Sequence, residues 1–434
     1  MSIEFKKQID VKYKADVFIA GGGPAGVAAA VTAARKGLKV FLIEKEQCFG
    51  GSATSAKVPA FMRFSDGVNF VSGGIGREIF DKLYGEGTDY RTIEFSIDVE
   101  DLKLLYDEMM TESGAEFLFE TKLLDVICED GKIKYAIVQG REKIYAIEAD
   151  VFIDATGDGF LSVLAGADFE MGDEEGHLMP GTLCSMWGDI DWSRAIVELG
   201  KDPDARNLQK AFDDNVFTLK DGGLPGMWKY PGHYGGGNIG HVFGVDGTDE
   251  KSITEGMIDG RKRMREYEYY YTHYLEGYEN SRVIVTGDVL GIRETRRIVC
   301  EYMMKTDDYL ATANFPDEIG RYCYPVDVHA HSIDAGDDTG GLYARGYEKG
   351  QSYGISYKAL LPKKTTNLLV AGRCVGAERP VMGSLRVMPG CYITGMAAGM
   401  AAVCCKEQNC LPREIEISEL QKKLKAAGAY FNMQ

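Results

Sequence analysis

The sequence has little proline and no cysteine pair of the form Cys-x-x-Cys. Only 12 of its 434 residues are proline, too few for a disordered chain rich in proline and glycine. Without closely spaced cysteines, the ten cysteines predict neither a zinc ribbon nor an iron–sulfur cluster. We expect them to stay reduced in a cytoplasm, where most would be small core residues.

The chain also lacks basic character and long apolar runs. Its 49 Lys and Arg stand against 66 Asp and Glu, which gives a formal net charge of −17. This charge argues against nucleic-acid binding and against a basic helix on a membrane surface. No apolar run reaches about 18 residues, and residues 1–14 are too charged for a signal peptide. We therefore predict a cytoplasmic protein without nucleic-acid or membrane partners.

Glycine, in contrast, is abundant. It makes up 53 of the 434 residues, or about 12%, against an average of roughly 7%. Many tight turns and close approaches of the backbone to a ligand are therefore expected. The length of 434 residues predicts two or three domains, at about 150 residues a domain.

One glycine-rich turn has the full context of a dinucleotide-binding unit. Strand, turn, helix and second strand are predicted in this order over residues 16–20, 21–26, 27–36 and 39–43. Gly21 permits the sharp turn, Gly23 lets the backbone approach a pyrophosphate, and Gly26 lets helix and strand pack closely. Glu44, at the end of the second strand, is placed to accept hydrogen bonds from a ribose diol.

A second G-x-G-x-x-G match, at Gly235, Gly237 and Gly240, lacks this context. No apolar strand precedes it and no Ala-rich helix follows. We interpret it as a loop and predict no separate NAD(P)H domain.

The remaining elements differ from a complete Rossmann domain. A β-meander is predicted over 116–120, 121–129, 132–139 and 143–148, and further strands over 150–154 and 367–370. Helices are predicted over 252–275 and 390–405. The first of these would begin with a capping box of Ser252 and Glu255.

Seven blocks, in a fixed order, resemble a flavoprotein family: AGGGPAGVAAA, FGGSATSA, DVFIDATGDG, GIRETRRIV, YPVDVHAH, NLLVAGRC and GSLRVMPGC. They are similar to FAD-dependent oxidoreductases with a glutathione-reductase-type FAD domain, in the group related to the flavin subunit of heterodisulfide reductase. The resemblance implies an α/β fold, a Rossmann-like FAD-binding domain with an inserted α+β substrate or cap domain. The iron–sulfur motifs of heterodisulfide reductase are missing, so clusters are not carried over.

The resemblance also implies where FAD binds, non-covalently, and how the chain divides. The FAD-binding domain is expected to comprise 14–54, 98–168 and 364–412, the cap region 55–97 and 169–363, and a helical tail 413–434. The expected cofactor-binding residues are Gly21, Gly23, Pro24, Ala25, Gly26, Glu44, Lys45, Gly51, Ser52, Ala155, Thr156, Gly157, Asp158, Gly372, Arg373, Arg386, Val387 and Met388.

Two of the matched blocks supply catalytic candidates. Arg293, Arg296 and Arg297 cluster beside Glu294, either as an ion-pair network or as a site for an anionic ligand, since Arg binds carboxylate and phosphate bidentately. In YPVDVHAH, His329 is favoured as an acid or base near the flavin, because histidine titrates near neutral pH. No third ligand supports a metal at the H-x-H pair, and we predict none.

Two classes of function stay open at this point. The chain is either an enzyme that moves a hydride between a small organic substrate and flavin N5, or a flavoprotein that transfers electrons to a protein partner. The added region of roughly 200 residues favours the enzyme, with a small substrate that can be anionic and a separate electron acceptor or donor. The sequence does not predict the substrate, the direction of transfer or the oligomeric state.

Overall fold

The computed structural model describes residues 3–4, 6–195, 204–224, 226–335, 341–342 and 346–432. The strands are β1 (Val11–Ala20), β2 (Val40–Ile43), β3 (Ala60–Phe61), β4 (Phe95–Ser96), β5 (Glu116–Leu118), β6 (Lys122–Glu129), β7 (Lys132–Gln139), β8 (Ile144–Asp154), β9 (Phe169–Met171), β10 (Ser185–Gly188), β11 (Met227–Lys229), β12 (Gly235–Gly237), β13 (Arg282–Thr286), β14 (Arg296–Ile298), β15 (Glu318–Tyr322), β16 (Tyr353–Ser356) and β17 (Leu368–Val370).

The α-helices are α1 (Pro24–Arg35), α2 (Ile75–Tyr84), α3 (Val99–Ser113), α4 (Phe160–Leu164), α5 (Asp204–Asp213), α6 (Glu250–Tyr274), α7 (Thr306–Leu310), α8 (Arg379–Leu385), α9 (Met388–Gln408) and α10 (Ile417–Ala426). Short 3₁₀ helices cover Tyr357–Leu360, Gly372–Cys374 and Pro412–Glu414.

The main sheet joins a parallel part to an antiparallel part through the long strand β8. Strands β5, β2, β1, β8 and β17 run parallel, whereas β7 and β6 continue the sheet antiparallel. β8 pairs with β1 along one edge; on its other edge it pairs first with β7 and then with β17. The carboxyl ends of β1, β2, β8 and β17 therefore meet at one end of the sheet, where open α/β sheets bind their ligands.

Two details of the predicted meander are wrong. Residues 143–148 and 150–154 form one strand, β8, because its two halves serve different partners in the same sheet. The segment 116–120 contributes β5, which pairs parallel with β2 and so belongs to the nucleotide-binding side.

Helices α1 and α9 cross in close contact above the parallel strands. A methyl group on Gly395 would overlap the carbonyl oxygen of Ala25, and one on Gly399 would overlap that of Ala29. Among the described residues, α9 is the one helix long and apolar enough to cross a membrane, and its whole apolar stretch is buried inside the protein. We interpret α9 as the central core helix, which also accounts for the burial of the adjacent Cys404 and Cys405.

A second core lies between an antiparallel sheet and α6. This sheet has the order β11, β12, β10, β13, and its buried residues include Trp187 and the α6 tyrosines Tyr267, Tyr270 and Tyr271. The predicted helix 252–275 therefore exists, and its tyrosine-rich end forms an aromatic packing face. The predicted capping box is wrong, because Asp249 caps the helix by accepting from two backbone N–H groups.

The second glycine match forms a strand, not the predicted loop. β12 pairs antiparallel with β10 and β11. Glycine is needed there for packing: a methyl group on Gly235 would lie 2.8 Å from Ile190, and one on Gly237 would lie 3.0 Å from the Trp187 ring nitrogen. These strands form no parallel strand–helix–strand unit around Gly235–Gly237.

The predicted domain limits stay a prediction, although the packing favours a smaller separate unit. The buried residues of the second core fall between Leu183 and Leu290. Residues that were expected in the cap region, such as Phe61, Phe80, Ile319 and Tyr353, pack into the same core as α1 and α9.

The crossing of α1 and α9 predicts the effect of one added methyl group. We expect Gly395→Ala to lower the free energy of unfolding by about 1–3 kcal/mol, because the methyl group overpacks the contact with Ala25. The matched control is Gly140→Ala, where the nearest atom would lie at an ordinary 3.5 Å, and we expect a change within about 0.5 kcal/mol. Urea unfolding measures both; equal stability of the two variants would contradict the close helix contact.

Candidate active site

The glycine-rich turn between β1 and α1 brings three backbones together. Gly21 has a φ of +98°, and a methyl group on it would lie 2.6 Å from the Ala155 carbonyl oxygen. A methyl group on Gly26 would overlap the carbonyl oxygen of Gly21. Beside Gly23, in contrast, a methyl group would meet no atom within 4 Å. The turn is thus packed where it folds and open where the α1 N-terminus offers free N–H groups to a pyrophosphate.

The acidic residue predicted at the end of β2 is bonded into the same turn. Glu44 is buried, and its two carboxylate oxygens accept the N–H groups of Gly22, at 2.6 Å, and Glu46, at 2.9 Å. Burial raises the pKa of Glu44, although both hydrogen bonds oppose this shift. The remaining lone pairs of the carboxylate oxygens can still accept from a ribose diol.

The other predicted cofactor blocks adjoin this turn. A methyl group on Gly51 would lie 3.6 Å from the Gly23 Cα, and one on Gly372 would lie 3.0 Å from Ala25. The Arg373 guanidinium donates to the Gly157 carbonyl oxygen at 3.0 Å and to Asp158 at 2.5 Å.

The structure therefore brings together, at one end of the sheet, the predicted residues Gly21, Gly23, Pro24, Ala25, Gly26, Glu44, Gly51, Ser52, Ala155, Thr156, Gly157, Asp158, Gly372 and Arg373. Lys45 follows Glu44 but is exposed. Binding of FAD by each of these residues stays a prediction.

The start of α9 carries the last cofactor block. Val387 is the N-cap, and Met388 and Pro389 open the helix, so its first N–H groups are free for an acceptor. Arg386, just before the cap, donates from Nη2 to both the carbonyl and the carboxylate of Asp327, each at 2.9 Å. Its Nε is buried without a hydrogen-bond partner in the described part of the chain.

The arginine cluster divides between two roles. Glu294 is buried and accepts from Arg297 at 2.8 Å and from Arg379 at 3.1 Å, which is a structural ion-pair network. Arg296 instead donates to the Asp158 carbonyl oxygen at 3.3 Å.

Arg293 is buried, yet its hydrogen bonds go to neutral oxygens. It donates to the Pro180 carbonyl at 2.9 Å, to the Thr182 hydroxyl at 2.8 Å and to the Asn238 side chain at 3.4 Å. Burial, and then the charge of Arg386, lowers the pKa of Arg293 to about 10, so it stays charged at neutral pH. No salt bridge joins it to a carboxylate among the described residues, and its charge is left for an anion.

His329 lies in a row of four side chains, three of which are joined by hydrogen bonds. Its Nδ1 is 2.9 Å from His241 Nε2, and His241 Nδ1 is 3.0 Å from the carboxylate of Asp221. At the other end, His329 Nε2 is 3.2 Å from Asp327 Oδ1. We call Asp221, His241, His329 and Asp327 the histidine row.

The charges around the row favour a neutral His329 between ionised carboxylates. Burial and the nearby Arg293 lower the pKa of His329 to about 4, against the opposing effect of Asp327. Burial alone would raise the pKa of Asp327, but Arg386, His329 and Arg293 hold it well below its usual range.

Both catalytic candidates are tied to cofactor blocks. The guanidinium of Arg373 donates to the carbonyl oxygen of Ile292 at 2.5 Å, directly before Arg293. Asp327, which contacts His329, is bonded to Arg386 at the start of α9.

The two histidines of the H-x-H pair have different neighbours: His329 contacts His241, whereas His331 lies beside His177. His331 stacks on His177, with ring centroids 4.1 Å apart and planes 11° apart, and Asp173 is adjacent. The ligand atoms of these three residues lie within 4.8 Å of one another. However, the stacked rings keep their in-plane lone pairs in two nearly parallel planes, so the two lone pairs do not meet at one point, and we assign no metal here.

Comparison with known proteins agrees with this geometry. The model of the FAD dependent oxidoreductase family matches residues 16–424. An α/β sheet with a dinucleotide turn at its carboxyl edge defines the class as a Rossmann-like flavoprotein. The chain belongs to the FAD dependent oxidoreductase family; it is an enzyme, and its cofactor is FAD.

The similarity to individual relatives covers only part of the chain. Digeranylgeranylglycerophospholipid reductase of Methanothrix thermoacetophila is 31% identical over 156 residues, 33% of this chain and 39% of the reductase. The chain thus spans about two fifths of that reductase. Thiamine thiazole synthase of Methanococcus vannielii is 26% identical over 212 residues, 45% of this chain and 72% of the synthase.

Among solved structures, a geranylgeranyl bacteriochlorophyll reductase-like protein of Thermoplasma acidophilum has a TM-score of 0.50 at 14% identity. The match covers 96% of this chain and 84% of that one. At this identity the likeness shows the fold, an α/β FAD-binding oxidoreductase fold, and nothing about the substrate.

Sequence reasoning missed part of the site. Asp327 stands two residues before His329 in the matched block YPVDVHAH. His241, Asp221, Thr182 and Asn238 lie outside the matched blocks and were not predicted. Only tertiary packing brings them to Arg293 and His329.

The open space beside Gly23 predicts a selective loss of cofactor. We expect Gly23→Ala to weaken FAD binding at least about tenfold, or 1.4 kcal/mol, because the methyl group occupies the space for the pyrophosphate. The apoprotein should lose at most about 1 kcal/mol of stability, the cost of alanine at a helix N-cap. FAD titration by fluorescence quenching and thermal melting of the apoprotein measure the two effects.

Gly21→Ala is the control that damages the fold itself, because of its positive φ and its contact with Ala155. Normal FAD affinity in Gly23→Ala, or equal loss of stability in both variants, would contradict the assignment of this turn.

Proposed function

We propose that the protein moves a hydride between FAD and a small organic anion held by Arg293, with His329 as the acid or base. The observation that carries this proposal is the buried Arg293 charge, whose hydrogen bonds go to neutral oxygens beside the cofactor blocks. Bound FAD supplies the hydride acceptor or donor at N5.

Two guanidinium groups support an anionic substrate. A buried cation without a paired anion is costly, and a carboxylate or phosphate from a ligand removes that cost. Arg386 adds a second positive charge nearby, and its buried Nε is a donor without a partner in the described residues. The charge of Arg386 is paired with Asp327, whereas Arg293 has no carboxylate partner among the described residues, so Arg293 is the group that attracts an anion.

His329 supports the proton part of the reaction. Removal of a hydride from a carbon bearing a hydroxyl or amine leaves a proton that a base must accept, and the reverse reaction needs an acid. His329 is neutral at pH 7 by its lowered pKa of about 4, and its side chain is 25% exposed. Arg293 cannot serve as this base, since it stays protonated.

Finer statements belong to the same proposal. The word reductase in the relatives' names makes reduction of the substrate the first direction to test. Three further hypotheses are a separate electron donor or acceptor, a cytoplasmic location and a relation to the heterodisulfide reductase flavin subunit. The alternative function is electron transfer to a protein partner.

Binding of a small carboxylate tests the anion site before any substrate is known. We expect acetate to perturb the flavin absorbance of the oxidised holoenzyme, whereas isosteric, neutral acetamide does not. Arg293→Gln should weaken acetate binding at least about tenfold, as expected for a lost charge-assisted hydrogen bond.

The matched control is Arg282→Gln, an exposed arginine on β13, which should bind acetate normally. Equal responses to acetate and acetamide, or unchanged binding in Arg293→Gln with full FAD content, would contradict the anion site.

Anaerobic mixing distinguishes the enzyme from the electron carrier. We expect dithionite-reduced holoenzyme to be reoxidised by at least one member of a panel of 2-oxo and 2-imino carboxylic acids, in which carbon takes the hydride and oxygen or nitrogen takes the proton, without a protein partner. His329→Gln should slow this step by about 100-fold or more, the usual scale for an acid–base group, and should keep its FAD. Reoxidation only by a protein acceptor, or a normal rate in His329→Gln, would contradict the proposal.

A further inference from the structure

The histidine row has a fixed end and a more open end. At Asp221, Oδ1 accepts from the Gly223 N–H, and Oδ2 accepts from both the backbone N–H and the ring of His241. The side chains of Asp221 and His241 are 7% and 9% exposed, whereas those of Asp327 and His329 are 17% and 25% exposed. The open end lies beside Arg386.

In the resting histidine row, there are more contacts of hydrogen-bond length than N–H protons to occupy them. Two neutral imidazole rings carry one N–H each, but the row contains three contacts of hydrogen-bond length, between Asp221 and His241, between His241 and His329, and between His329 and Asp327. With both carboxylates ionised, one contact is left without a proton. The missing proton marks the place where the row can accept one.

The fixed end decides which contact lacks the proton. Asp221 only accepts, so His241 must donate to it from Nδ1–H, and its Nε2 is left as an acceptor. His329 must then donate from Nδ1–H across the 2.9 Å contact. His329 Nε2 is therefore bare, and it lies 3.2 Å from Asp327 Oδ1, the longest of the three contacts.

We infer that Asp221 and His241 are positioning residues that hold His329 in the Nδ1–H tautomer, so that Nε2 is the atom that accepts the proton. This inference rests on the proposed function, in which His329 handles the substrate proton. In a folded protein, the nitrogen of a neutral histidine that carries the proton is set by the hydrogen bond of the other nitrogen.

The step balances in protons and electrons. When a substrate is oxidised, the C–H bond breaks and its electron pair leaves with the hydride to FAD. The substrate O–H or N–H bond breaks as well, and its proton forms a bond to His329 Nε2. The resulting imidazolium still donates from Nδ1 to His241, and the nearby carboxylate of Asp327 stabilises its positive charge. Reduction of a substrate runs these transfers in reverse.

Removing His241 is expected to reverse the tautomer of His329. In His241→Phe, His329 Nδ1–H has no acceptor, and the ring gains a hydrogen bond only by moving its proton to Nε2, facing Asp327. We expect nitrogen NMR of the ¹⁵N-histidine holoenzyme with oxidised FAD to show His329 as Nδ1–H in the native protein and as Nε2–H in His241→Phe. The His329 signals are assigned by their loss in His329→Gln.

The matched control is His273→Phe, on the exposed end of α6, where His273 stacks on Tyr269. The His329 tautomer should stay Nδ1–H in this variant. A native His329 that is Nε2–H or doubly protonated overturns the inference, and so does an unchanged His329 tautomer in His241→Phe.

The outcomes separate this inference from the proposed function. Acetate binding depends on Arg293, so His241→Phe should bind acetate with native affinity and keep its FAD. If the tautomer switches as expected but the native protein does not bind acetate, the anionic substrate is rejected. The positioning role of Asp221 and His241 is then retained. Native acetate binding together with an unchanged His329 tautomer in His241→Phe would contradict only the positioning role of Asp221 and His241.

Discussion

The close approach of α1 to its neighbouring backbones is the constraint on which the site depends. Gly21 and Gly26 let the first turn fold onto the end of β8, and Gly395 lets α9 cross the same helix. Any side chain at these points would separate the glycine turn, the block after β8 and the start of α9. Because backbone atoms touch directly, the three segments that are expected to contact FAD have little freedom to shift.

Around this scaffold, the buried arginines and lysines of the described residues are paired with carboxylates, with Arg293 as the exception. Arg297 meets Glu294, Arg373 meets Asp158, and Arg386 meets Asp327. The carboxylate of Asp327 also contacts His329. These ion pairs thus connect the cofactor blocks to the histidine row. Arg293, whose charge is unpaired, is adjacent to the same blocks. This combination of a paired frame and one unpaired buried cation is the basis of the proposed anion site beside His329.

Local patterns predicted the nucleotide-binding half well. The strand, turn and helix around Gly21 and Gly26 follow from periodicity and glycine chemistry, and the FAD cofactor followed from the resemblance of the matched blocks. The pairing of β5 with β2 and the single strand β8 were not predictable, because one segment of sequence looks the same whichever neighbour it pairs with.

The catalytic half was only partly predictable. Arg293 and His329 were found through their blocks, but Asp221 and His241 are 20 residues apart in a region without a motif, and the fold alone joins them to His329. The glycines of β12 show the converse. They match a nucleotide-binding pattern, yet they are glycines because Trp187 and Ile190 leave no room for a side chain.

A crystal structure of the holoenzyme soaked with acetate tests the central claim most directly. The account predicts that the flavin ring lies against the start of α9, with the acetate carboxylate on Arg293 and His329 Nε2 facing the same cavity. A flavin ring whose neighbouring cavity is lined by neither Arg293 nor His329, or acetate bound only elsewhere, would contradict it.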